Sequence, residues 1–154
     1  MTAQTKQNVD HPTRPGIVPE LCCSDFGRSL HFYGEIIGFA VRYRRDEERF
    51  AYLVLNHAEL MIEQTVPSSR TLVGGELQYP FGRGMNLQIE VNDADALYRR
   101  VTAADCHIFL PIEDRWYRID DYEAGNRQFV VMDPDGYLLR FWHDLGQRPI
   151  SSTE

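Results

Sequence analysis

No stretch of this 154-residue chain approaches the roughly 18 consecutive apolar residues that a bilayer-spanning helix needs. The opening residues, MTAQTKQNVDHPTRP, are polar and hold no apolar segment of the signal-peptide kind. Cysteine is scarce: Cys22, Cys23 and Cys106 are the only three. None stands at C-x-x-C spacing, so a zinc ribbon or thioredoxin-type redox site has no support. Adjacent Cys22 and Cys23 are poorly placed for a bridge within one strand, and reduced thiols in a cytoplasmic protein are the simplest account. Basic residues are in deficit, with 16 Lys plus Arg against 23 Asp plus Glu and a net charge of −7. So acidic a surface repels phosphate backbones, which argues against general nucleic-acid binding. It favours a cationic ligand or serves solubility alone. The five histidines, His11, His31, His57, His107 and His143, show neither H-x-H nor H-x-x-x-H spacing, so packing or ordinary polar roles are expected of them. Ser24, Ser29 and the cysteines lack a nucleophile-elbow context, so hydrolase chemistry has no support either.

What is present is ordinary globular composition, 43% apolar and 25% charged, enough for one packed core. Residues 1–15 and 145–154 are polar and predict loose ends, an N-terminal arm and a C-terminal tail. Residues 67–83, rich in proline and glycine, predict a linker between modules at 16–66 and 84–144. In the first module Ile17–Cys22 predicts a strand. Asp25 predicts an N-cap, and Phe26, Leu30, Tyr33 and Ile37 fall at helical spacing up to Gly38. Ala40–Arg44, Phe50–Leu55 and Glu59–Gln64 predict three strands, with Asn56-His57 a tight turn.

The second module repeats the order. Met85–Val91 alternates between an apolar face (Met85, Leu87, Ile89) and a polar one (Asn86, Gln88, Glu90). Asn92-Asp93 predicts the start of a helix carrying Ala94, Leu97 and Val101. Cys106–Leu110 predicts a strand, Pro111–Asn126 a long polar loop, and Arg127–Met132 with Tyr137–His143 a hairpin across Asp133-Pro134-Asp135-Gly136. Asp25 and Asp93 lie 68 positions apart, as do Val18 and Asn86, so the chain reads as two βαβββ modules.

These residues resemble a family. Asp25-Phe26-Gly27-Arg28-Ser29-Leu30-His31-Phe32-Tyr33 with Ile37-Gly38-Phe39 is similar to the opening of the glyoxalase, bleomycin-resistance and extradiol-dioxygenase superfamily, and Asp133–Tyr137 is similar to its closing hairpin. The resemblance covers about residues 16–144. It implies an α+β fold of two βαβββ modules curling into an open cup with helices outside, usually completed in a homodimer.

Metal-dependent members place ligands on the first, fourth, fifth and eighth strands. The resemblance carries those positions onto Val18, Glu63, Asn86 and Arg140. Only Glu63 is a typical ligand, and Arg140 sets a fixed positive charge where a cation would sit. The expectation is therefore no metal, no cofactor and no catalytic residue. Glu63 and Arg140 are expected to pair across the cup, or to be a structural pair at the module interface.

Asn86, Gln88 and Glu90 line the pocket if the cup forms, and otherwise make a wet sheet face. Trp116 and Tyr117, in the polar loop, and Trp142, on the strand face of Arg140, are candidate stacking surfaces; the other reading is dimer packing for Trp116 and core packing for Trp142. The function expected is that of a bleomycin-resistance-like protein, sequestering a small-molecule or cationic glycopeptide antibiotic without bond chemistry. The alternatives are a metal-dependent glyoxalase, lyase or dioxygenase using Glu63 and Glu90 or a histidine in a shifted ligand set, and a non-catalytic binder of another small molecule.

Overall fold

The structure, a computed structural model, describes residues 15–66 and 70–150. The expected N-terminal arm therefore lies almost wholly outside the described residues, as do Pro67–Ser69 of the linker and Ser151–Glu154 of the tail. Two βαβββ modules are present. The first comprises β1 (Glu20–Cys23), α1 (Phe26–His31, continued by a π-helical turn over Phe32–Ile37), β2 (Ala40–Arg45), β3 (Phe50–Leu55) and β4 (Ala58–Gln64). The second comprises β5 (Asn86–Glu90), α2 (Ala94–Ala103), β6 (Ile108–Ile119), β7 (Tyr122–Met132) and β8 (Leu138–Pro149). Residues 70–85 between them hold no helix or strand. The two four-stranded sheets have matching orders, β1-β4-β3-β2 and β5-β8-β7-β6, each with one parallel pair flanking two antiparallel ones.

The helix starts are chemical equivalents. The Asp25 carboxylate accepts from the Arg28 N–H at 2.9 Å, and that of Asp93 from the Ala96 N–H at 2.9 Å. Each satisfies an N–H that the first turn leaves free. Gly38 closes the first helix at φ 103°, a left-handed conformation that suits glycine.

The polar segment Pro111–Asn126 is strand, not loop. β6 and β7 form one long hairpin that turns at Asp120-Asp121. Charge hides the strand pattern there, because the charges pair across the ladder: Arg127 reaches Asp114 at 3.0 Å, and the Gln128 amide donates to Glu113 at 3.1 Å. Pro111 is tolerated because β6 is an edge strand, beside a register shift between Leu110 and Glu113. β8 likewise runs on to Pro149, past the boundary at 144 that composition predicts, because β7 pairs with it as far as Tyr122.

One apolar core serves both modules. Leu21, Leu53 and Ile62 of the first sheet and Ile89, Phe129 and Phe141 of the second join it, with Tyr33 and Leu97 from the helices. Polar contacts tie the modules together beside it. The Tyr33 hydroxyl donates to Asp133 at 2.7 Å, Ser24 Oγ to Asp135 at 2.5 Å, and the Tyr137 hydroxyl to the Cys22 carbonyl at 3.0 Å. Arg100 of α2 donates to the Ile36 carbonyl at 2.6 Å and to that of Ile37.

The three cysteines are free thiols. Burial pushes Cys23 up to about 12 and raises Cys22 and Cys106 above the ordinary thiol value. A raised pKa means less thiolate at a given pH. At pH 8 all three should alkylate with iodoacetamide more slowly than free cysteine, Cys23 slowest, and denaturation in urea should abolish the differences. Peptide mass mapping over time checks this.

Candidate functional site

Because each sheet turns one face to the shared core, its other face points outward. In the second sheet that outer face carries Asn86, Gln88 and Glu90 of β5, Glu113 and Tyr117 of β6, Gln128 of β7, and Arg140 and Trp142 of β8. Four of these side chains are wired to Arg140. Its Nη2 donates to Gln88 Oε1 at 2.5 Å and its Nη1 to the Tyr117 hydroxyl at 3.3 Å. That hydroxyl is hydrogen-bonded to the Gln128 amide group at 2.7 Å, which in turn donates to Glu113. Gln128, 2% exposed, is thereby satisfied. Arg140 Nε is buried without an acceptor.

Glu90 and Trp142 lie abreast beside this network. They border an open cavity of about 770 Å³ with Gln88, the β3–β4 turn residues Asn56 and His57, and Ala58 at the start of β4. Asn86 is exposed at the start of β5, opposite Leu138 and not Arg140.

The outer face of the first sheet is different in kind. Phe50, Tyr52 and Tyr43 form an aromatic ladder, with Tyr43 and Tyr52 stacked at 5.3 Å and Tyr43 and Phe50 at 5.9 Å. Arg45 lies over Phe50 at 4.1 Å and Arg42 over Tyr52 at 5.1 Å. Glu63 stands between Phe50 and Cys22 in register. It is 8% exposed, and burial, then the neighbouring Glu20 carboxylate, push it above the ordinary carboxylate range against the weaker pull of Arg45.

Of the residues singled out in the sequence, the structure thus brings Gln88, Tyr117 and Arg140 into one network and sets Glu90 and Trp142 beside it. It does not bring Glu63 to Arg140: the two lie on separate sheets, and no ion pair joins them. Trp116 and Tyr117, adjacent on β6, point to opposite faces. Trp116 shares its face with Asp114 and Arg127. Its ring lies where a Cβ on Gly125 would come within 2.7 Å, and the Arg148 guanidinium caps it at 4.2 Å. Val18 precedes β1, and the β1 residue abreast of Glu63 is Cys22. Tyr43, Phe50, Tyr52, Glu20 and Gln128 were not singled out in the sequence. The strand alternation of Phe50 and Tyr52, which lie on the face of Glu63 through register, was the available signal.

The donor set on these faces does not fit the family's divalent metal. Around Glu63 stand a second carboxyl and a thiol held protonated, and on the other sheet an amide and a guanidinium. Among the described residues, Asp93, Asp95 and His143 form the one cluster of three potential ligands, at the start of α2. His143 Nδ1 already accepts the Ala94 N–H at 2.9 Å, and Asp95 is paired with Arg127 at 2.9 Å.

Tandem βαβββ modules packed through one core, with outward sheet faces rich in polar and aromatic side chains, define a fold class rather than a single activity. The family model "Glyoxalase/Bleomycin resistance protein/Dioxygenase superfamily" matches residues 9–141, and the chain belongs to that superfamily. It is 25% identical over 137 residues to a bleomycin resistance protein of Geobacillus stearothermophilus, covering 83% of this chain and 96% of the relative. Among solved structures it is similar to TioX from Micromonospora sp. ML1, at 27% identity and a TM-score of 0.62 over 84% of this chain and 98% of that one. It also resembles a protein of unknown function from Agrobacterium tumefaciens str. C58, at 23% identity and a TM-score of 0.65 over 88% and 98%. Among the described residues no helix is long and apolar enough to cross a membrane.

Proposed function

We propose that this protein binds and sequesters a small, partly planar, cationic molecule of the bleomycin type, in a metal-free pocket at the interface of a cytoplasmic homodimer. The observation that carries the reading is the composition of the two outward faces. One offers an aromatic ladder beside the Glu20 and Glu63 carboxyls, and the other offers Trp142, Glu90 and a hydrogen-bonding network around Arg140. Flat rings stack on such aromatics, and the acids complement positive charge. The bleomycin resistance proteins to which the chain is similar support this ligand class. A binder of this kind needs no bond chemistry; it needs only to hold its ligand more tightly than the ligand's target does. The three unbridged thiols support the reducing compartment.

Calorimetric titration with metal-free bleomycin, checked by Trp fluorescence, tests the reading. A dissociation constant below about one micromolar, roughly −8 kcal/mol, at one drug per chain is expected. Replacing Trp142 by alanine should weaken binding about tenfold or more, as removal of an aromatic anchor does. No heat and no fluorescence change at high drug concentration would refute it.

A further inference from the structure

At the seam between the modules lies a second cavity, of about 290 Å³, that shares no residue with the one bordered by Glu90 and Trp142. The first module gives it one stripe of α1 and the π-helical turn, Arg28, His31, Phe32 and Ile36, spaced as neighbours on a helix surface. The second module gives it the α2–β6 turn around Cys106 and the β7–β8 turn from Met132 to Pro134. The half-exposed ring of Tyr79, between the modules, completes the wall. The duplication does not account for this cavity. Asp25 and Asp93 cap matching helices, yet 68 residues after Phe32 stands Arg100, whose guanidinium donates to the Ile36 and Ile37 carbonyls. The π-helical turn that sets Phe32 and Ile36 at the cavity is a rare element, found most often at functional sites.

The charges around the cavity are already answered. Arg28 Nη2 lies 3.6 Å from Asp135 and donates to Ser24 Oγ at 3.1 Å. The buried Asp133 carboxyl is occupied by three donors. Asp105 is exposed, where water weakens its field. What faces a ligand is then apolar surface from Phe32, Ile36, Met132 and Pro134, with the exposed imidazoles of His31 and His107 at the rim. An imidazole can both donate and accept, so it suits a hydroxyl group. Ligand pockets run from roughly 300 to 1,000 Å³, and a cavity at the small end of that range admits a single ring. We propose that this cavity binds an uncharged single-ring phenol, its ring against Phe32 and Ile36 and its hydroxyl on the His31–His107 rim. The site is separate from the proposed antibiotic pocket and stands or falls without it.

Phenol itself is the probe, added to the full chain. Calorimetry should show saturable binding with a dissociation constant of about one millimolar or below. Toluene, of the same shape without the hydroxyl, should bind about fivefold more weakly, the worth of one net hydrogen bond. Benzoate and benzylamine should bind at least about tenfold more weakly, because each would bury a charge without a free partner. In a chain carrying both His31→Leu and His107→Leu, phenol should lose its advantage over toluene. Both side chains are exposed, and circular dichroism confirms that the variant is folded. Cys106 lines the cavity and reports occupancy in the unmodified protein. Phenol at about four times its dissociation constant should slow iodoacetamide alkylation of Cys106 about fivefold, by mass action. The rate at Cys22, on the outer face of the first sheet, should not change. Each of four results overturns the assignment: no saturation by phenol, toluene or a charged analogue bound as tightly, a phenol preference that survives loss of both imidazoles, or protection of Cys22 in place of Cys106.

Discussion

Asp133→Ala should lower the unfolding free energy by about 3–5 kcal/mol, measured by urea denaturation at pH 7. The Asp133 carboxyl is 4% exposed and accepts three hydrogen bonds, from the Tyr33 hydroxyl at 2.7 Å and from the Asp135 and Tyr137 N–H groups at 2.9 Å each. Alanine strands three buried donors, and each costs about 1–3 kcal/mol when left unpaired, less whatever water recovers. The loss falls on the seam between modules, since Tyr33 reaches Asp133 from α1's continuation a hundred residues earlier.

Asp133→Asn separates charge from hydrogen bonding. Burial holds the Asp133 pKa above its ordinary value, although the three donors oppose the shift. An acid whose pKa is raised by folding destabilises the fold once it ionises. That penalty is absent below the ordinary aspartate value, roughly pH 4, and grows as pH rises to the raised one. Stability of the asparagine variant relative to the original should therefore improve from about pH 4 towards neutrality. A difference that stayed flat or ran the other way would contradict the assignment of burial as the dominant cause.

Phe141→Ala should cost about 3–5 kcal/mol, by the usual measure for deleting a fully buried aromatic ring. Phe141 is 0% exposed and packs on Phe129 at 5.7 Å between centroids, and Phe129 in turn meets Tyr98 of α2 edge-on at 5.2 Å. The ring lies behind the candidate site: its neighbours along β8, Arg140 and Trp142, face outward. Thermal denaturation by circular dichroism checks the loss. Ligand affinity in the surviving folded fraction should change far less than stability does.

The modular plan was legible because it is written in local signals. Asp25 and Asp93 cap helices 68 residues apart, Gly38 ends the first, and the alternation over Asn86–Glu90 is strand geometry in plain view. The β6–β7 hairpin was not legible. Its cross-strand stability comes from charge pairs such as Asp114–Arg127 and from a ring, Trp116, over a bare glycine, and neither leaves an apolar alternation. The site was legible only in part for a related reason. Asn86, Gln88, Glu90, Arg140 and Trp142 share a face by simple period. Gln128 and Glu113 join it through the register of β6 on β7, which depends on a bulge the sequence does not announce. Glu63 and Arg140 have the right chemistry to pair, but the topology sends their faces apart within one chain.

Binding without bond chemistry is checked by incubating the protein with an equimolar amount of metal-free bleomycin, separating bound from free by ultrafiltration, and releasing the bound fraction with denaturant for mass spectrometry. Nearly all the drug should be retained, at one molecule per chain, and recovered with its mass unchanged. Drug passing freely through the filter, or recovered with an altered mass, would contradict it.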